Sequence, residues 1–174
     1  MPIVHVVRHG PTDFNDEDRL RGWMDPPLNA AGLEMARRIE VPEHLPVFSS
    51  DLLRAIQTAE AIGLPFTRVP ELRPWNVGVF QGHPGRTVHR RLIEYFNNPA
   101  IRVPFGEPWN EFQARLLGWV GALICDCIVV THFRCCRLLL AWAAAGYRDV
   151  DRGVMLEDAS PVTSVFTLEL PGSI

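Results

Sequence analysis

Two short apolar runs in this chain each end in a histidine. Ile3-Val4-His5-Val6-Val7 leads into Arg8-His9-Gly10, and Ile128-Val129-Val130-Thr131 leads into His132. Runs of this length, rich in β-branched residues, read as buried strands. Arg8, His9 and Gly10 are wrong for a strand core and right for the carboxyl end of a strand, where α/β sheets bind their ligands. Gly10 permits a sharp turn and a close approach of backbone to ligand. Arg8 offers a planar fork of donors for phosphate or carboxylate. His9 can serve as nucleophile, general base or metal ligand.

The intervening chain alternates strands and helices. Asn29 caps a helix running to about residue 40, with Leu33, Ala36 and Ile39 turned inward. Pro46-Val47-Phe48-Ser49-Ser50 is a short strand. Ser50 or Asp51 caps the next helix, 52–62, which Gly63 and Pro65 stop, and Arg54 falls in its first turn, where free N–H groups and the dipole suit an anion. Residues 66–69 read as an edge strand and 71–82 as a structured loop. Further helices cover about 86–96, a stretch opened by Pro108, and 134–145. Val88, Leu92, Ile93 and Phe96 share one face of the first, and its basic cluster Arg86, His89, Arg90 and Arg91 reads as a solvated face or as steering for an anion. Trp109, Phe112, Leu116, Trp119, Val120 and Leu123 recur at helical spacing and read as core. A last strand, 162–170, closes the sheet. The expected fold is α/β: a three-layer sandwich, one domain over 1–174, with a mostly parallel central sheet and helices on both faces.

A net charge of -3 argues against nucleic acid or a membrane surface as partner. The apolar stretch 138–145 is far too short to span a bilayer. With no targeting segment recognisable, the cytoplasm is the expected compartment. Cys125, Cys127, Cys135 and Cys136 bunch near His132, which raises a metal site. Their spacing lacks the paired C-x-x-C form of structural zinc sites, and small buried hydrophobes in a reducing compartment is the preferred reading. No metal and no cofactor are expected; a homodimer stays open.

Parallel strands present their carboxyl ends on one sheet edge, so His9, Arg8, Arg54 and His132 are expected to meet. The chemistry this implies is phosphoryl transfer to a histidine. One imidazole nitrogen of His9 attacks phosphorus in line, while the arginines and His132 hold the equatorial oxygens. The other nitrogen needs a hydrogen bond, for instance to a backbone carbonyl, to fix the tautomer. Water then hydrolyses the phosphohistidine, with arginines supplying the positive charge that a metal supplies elsewhere.

Nearly the whole chain resembles the histidine phosphatases, the superfamily related to cofactor-dependent phosphoglycerate mutase. The resemblance is carried by Arg8-His9-Gly10-Pro11-Thr12 with Asn15, then Arg19, Gly22, Asp25, Pro27-Leu28 and Gly32. It continues through Ser49-Ser50-Asp51-Leu52-Leu53-Arg54-Ala55 with Gln57-Thr58-Ala59, then Val130-Thr131-His132 with Arg137, and Asp158-Ala159-Ser160. It implies His9 as the phosphorylated nucleophile and Arg8, Arg54 and His132 as phosphate ligands, with Thr12 and Asn15 nearby in the phosphate site. Three departures stand out. The family's usual proton donor, a glutamate in a Leu-Arg-Glu stretch, is Pro74 here, in Leu72-Arg73-Pro74. The glycines expected after the second histidine are Phe133 and Arg134. Arg21 stands where glutamine is common.

Glu107, in a Gly-Glu pair similar to one that the family carries near the pocket mouth, is the first candidate to replace the missing acid; a dipole-favoured glutamate in a helix's first turn is the alternative. Glu71 and Asp13 are weaker candidates. Without any acid, phosphates whose leaving group departs unprotonated (acyl, aryl or anhydride) are favoured. The expected activity is a metal-independent phosphatase for small phosphorylated substrates. A binding protein that keeps the pocket but has lost turnover is the alternative, and a mutase is less favoured.

Overall fold

The computed structural model describes residues 1–150 and 165–171. The Asp158-Ala159-Ser160 motif and the start of the last predicted strand lie outside the described residues. Among the described residues, five strands form one sheet: β1 (Ile3–Arg8), β2 (Val47–Ser49), β3 (Phe66–Arg68), β4 (Cys127–Thr131) and β5 (Val165–Glu169), in the order β3-β2-β4-β1-β5. β1, β2, β3 and β4 run parallel, and β5 is antiparallel to β1. This is the mostly parallel sheet expected, with β3 on an edge.

Strand alternation divides the core in two. Val4 and Val6 of β1 join Cys127 and Val129 of β4 on one face. They pack against α4 (Gly85–Asn97), α5 (Trp109–Gly121) and α6 (Phe133–Ala144), whose buried anchors include Leu92, Phe96, Trp109, Phe112, Leu116 and Leu138. Val7, Ile128 and Val130 face the other way and meet Ala55 and Ala59 of α3 (Leu53–Ile62), which packs on α2 (Ala30–Arg37). Helices therefore cover both faces, as the sandwich reading requires. β4 is buried along its full length, which explains why its sequence is continuously apolar rather than alternating.

Local details add to or change the expectations. A short helix, α1 (Asp13–Asp16), occupies the loop after β1. Neither Ser50 nor Asp51 caps α3; the Leu53 amide donates instead to Asp25 Oδ1 at 2.6 Å, a carboxylate brought from a different loop. Gly10 is needed for packing: a Cβ there would lie 2.5 Å from the Gly32 carbonyl oxygen, at the start of α2. Asn29 does cap α2, accepting from the Gly32 amide, although the helix ends at Arg37, short of residue 40. No helix among the described residues is long and apolar enough to cross a membrane.

Candidate active site

Register builds the centre of the site. Arg8 pairs with Thr131 across β1 and β4, so the next residue on each strand is a histidine. The His9 amide donates to the Thr131 carbonyl at 2.9 Å. The two imidazoles sit edge to face, with centroids 5.0 Å apart. β2 is the next strand over, with Ser49 opposite Val130. The chain then enters α3, whose first turn delivers Arg54, only 1% exposed.

A cavity of about 110 Å³ opens over these residues, lined by His9, Arg21, Arg54, Pro74, His132 and Arg134 among others. His9 Nδ1 lies 2.6 Å from the Gly10 carbonyl oxygen. A carbonyl only accepts, so Nδ1 carries the proton and Nε2 keeps its lone pair. Arg54 commits both terminal nitrogens to the Met24 and Gly22 carbonyls, at 2.8 and 2.9 Å. Among the described residues its Nε–H has no partner, and neither does His132 Nδ1.

The electrostatics of this cluster follow from burial and from like charge. Burial holds both His9 and His132 well below the ordinary value of 6.5, and Arg54 lowers them further, so both rings are neutral. Burial, then Arg21, lowers Arg54 to about 9; burial, then Arg8, lowers Arg21 to about 10. Burial also lowers Arg8 and, with Arg137 beside it, Arg134. Arginine ordinarily stays charged at any accessible pH. These depressions show that burial, and after it the neighbouring cations, disfavours positive charge in this cluster, an environment that a bound anion would relieve.

The expected residues divide into three groups. His9, His132 and Arg54 meet at the cavity. Arg8 is not among its lining residues; its guanidinium lies over the Phe133 ring, 4.8 Å from the centroid. Thr12 and Asn15, expected in the phosphate site, act one residue further out. Thr12 is fully buried, and the two side chains accept hydrogen bonds from Arg21, which does line the cavity. Glu107 does not reach the cavity. Arg115 holds both its oxygens, at 2.7 and 3.1 Å, and the Asn76 amide donates to one of them. It lies just before α5 and braces the 71–78 loop, because a buried carboxylate is drawn to the nearest cation. Glu71 and Asp13 are exposed and also absent from the wall.

Pro74, by contrast, does line the cavity, and its carbonyl accepts from Trp23 Nε1 and Arg115. Among the described residues no carboxylate lines the cavity. Two participants were not legible in the sequence: Ser50, whose Oγ is 2.8 Å from His132 Nε2, and Thr58, whose hydroxyl oxygen accepts from the Gly10 amide at 3.2 Å. Both belong to the stretch that carries the family resemblance, but their partners are 82 and 48 residues away.

The chain belongs to the histidine phosphatase superfamily (branch 1), whose model matches residues 4–167. It is 30% identical over 136 residues to a probable phosphoglycerate mutase GpmB of Cronobacter sakazakii, covering 70% of this chain and 62% of the relative. The chain thus spans about three fifths of the length of the curated relatives it matches. Among solved structures, a phosphoglycerate mutase from Thermus thermophilus superposes with a TM-score of 0.73 at 38% identity, over 79% of this chain and 82% of that one. YhfR of Bacillus stearothermophilus gives 0.78 at 25% identity, over 99% and 93%.

Proposed function

We propose that this protein is a metal-independent phosphatase that hydrolyses small phosphate esters through a phosphohistidine on His9. One observation carries the reading: the cavity offers a histidine held as the Nδ1–H tautomer beside cationic and neutral donors, two of whose nitrogens lack partners among the described residues. A phosphoryl group answers each feature, since it brings an electrophilic phosphorus, negative charge and oxygens that accept. His9 Nε2 attacks phosphorus, the phosphorus–oxygen bond to the leaving group breaks, and the Gly10 carbonyl steadies the imidazolium formed. Arg54, Arg21 and His132 hold the equatorial oxygens. Water then attacks the phosphohistidine, the N–P bond breaks and returns its electron pair to Nε2, and both of the water's protons leave with phosphate or pass to solvent.

With Pro74 on the wall, the leaving oxygen departs unprotonated. Aryl, acyl and anhydride phosphates are therefore the favoured class, over alkyl esters. The test is phosphate release from an aryl phosphate in EDTA by wild type and His9→Ala, with acid-labile phosphoprotein trapped by rapid quench. We expect release by wild type and loss of both signals on substitution. Turnover surviving in His9→Ala rejects the reading. Vanadate binding without any release favours the binding-protein alternative, which Pro74 motivates. Transfer of phosphate to a second substrate molecule, in place of release, would mark a mutase, as the relatives' names suggest.

A further inference from the structure

His132 leaves a question that its position in the cavity does not answer: which of its nitrogens carries the proton. A neutral imidazole has one N–H and one lone pair. Nε2 is 2.8 Å from Ser50 Oγ, while Nδ1 is buried with no partner among the described residues. The hydroxyl of Ser50 is fully buried, so its proton needs an acceptor. Its oxygen already accepts from the Leu52 amide at 3.4 Å. Among the described residues, His132 Nε2 is the acceptor that the hydroxyl has. The Ser50 amide donates to the Val130 carbonyl at 2.9 Å, which ties this serine to the end of β4 beside His132.

We propose that Ser50 is a positioning residue: its Oγ–H donates to His132 Nε2, placing the imidazole proton on Nδ1, where it serves a phosphoryl oxygen. The two buried nitrogens without a partner among the described residues, Arg54 Nε and His132 Nδ1, are then both donors. They form a matched pair for a group that only accepts. In the opposite tautomer a lone pair at Nδ1 would face an anion, and the serine hydroxyl would be stranded. His9 and His132 are thereby set to the same tautomer for opposite purposes: in His9 the proton on Nδ1 frees Nε2 to attack, and in His132 the proton on Nδ1 is itself the contact. The backbone sets the first through the Gly10 carbonyl, and a side chain sets the second.

The proposal rests on the phosphoryl-transfer reading, but its test does not require turnover. Long-range ¹H–¹⁵N NMR of the ligand-free protein should show His132 protonated at Nδ1. Ser50→Ala should move the population toward Nε2–H and weaken orthovanadate binding by about 10- to 100-fold, the worth of one hydrogen bond to an anion. KM for an aryl phosphate should rise in parallel. Ser50→Thr, which keeps the hydroxyl, should restore tautomer and affinity together, where a merely structural role would leave the tautomer unmoved. A wild-type His132 protonated at Nε2 overturns the proposal, and that spectrum decides even if Ser50→Ala fails to fold. Unchanged vanadate affinity in a folded Ser50→Ala also overturns it. Nδ1–H with tight vanadate but no phosphate release upholds the proposal and rejects the phosphatase.

Discussion

At the strand ends, Arg54 and His132 each keep a buried nitrogen without a partner among the described residues. Behind the side wall, Arg115 leaves nothing unpaired: its donors reach the carbonyls of Glu71, Arg73 and Pro74 and both oxygens of Glu107. Both arginines lie on helices and both contact backbone carbonyls. The difference is in what remains. An unsatisfied buried donor destabilises the free protein and is answered by a ligand. A saturated ion pair is answered already and can only hold structure. Under the proposed function, the floor of the cavity serves binding and chemistry, and the wall serves shape.

Substitutions on the floor should therefore cost activity and little stability, and substitutions behind the wall the reverse. The largest effect is expected from His9→Ala: a loss of turnover on the order of 10⁴-fold or more, with a urea midpoint close to that of wild type. A midpoint that falls steeply would show that the floor is structural after all. Next is Pro74→Glu, which puts a carboxyl on the cavity wall. Turnover of an alkyl phosphate should rise by about 10²-fold or more, within the range a general acid supplies, while aryl phosphate turnover changes little. Equal changes for both substrates would place the limiting step elsewhere.

Arg115→Ala should come third. It strands Glu107, whose side chain is 10% exposed, and should lower stability by about 3 kcal/mol, read from urea denaturation. Aryl phosphate turnover per folded molecule should stay within a few-fold; a loss as deep as that of His9→Ala would erase the contrast. The smallest effect is on pH. The folded values of His9 and His132 lie below the ordinary 6.5, so the unfolded chain binds more protons in acid. Their contribution to stability is full above that value and is lost as pH falls from it toward the depressed folded values. Replacing both with glutamine should flatten the fall in urea midpoint over that interval.

The strand-end histidines, the arginine in the first turn of α3, and the parallel sheet with helices on both faces were all readable from the chain. Each is a local pattern: a β-branched run, a helix boundary, a polar residue at the end of an apolar stretch. Alternation along β1 and the continuous burial of β4 need no distant information to be anticipated. The absence of an acid at Pro74 was likewise visible as a departure in one short stretch.

What only the tertiary structure decided was pairing. Gly106-Glu107 looked like a carboxylate near a pocket mouth, yet Arg115, on α5, takes both of its oxygens. Thr12 and Asn15 were expected in the phosphate site, and the fold pairs both side chains with Arg21 on the cavity wall. Asp25 caps a helix that begins 28 residues later, and Ser50 meets a histidine 82 residues away. The physical reason is common to all four. The strength of an ionic or hydrogen-bonding side chain depends on which partner reaches it first in a desolvated space. That is set by how strands register and helices pack, whereas hydrophobic periodicity is written residue by residue along the chain.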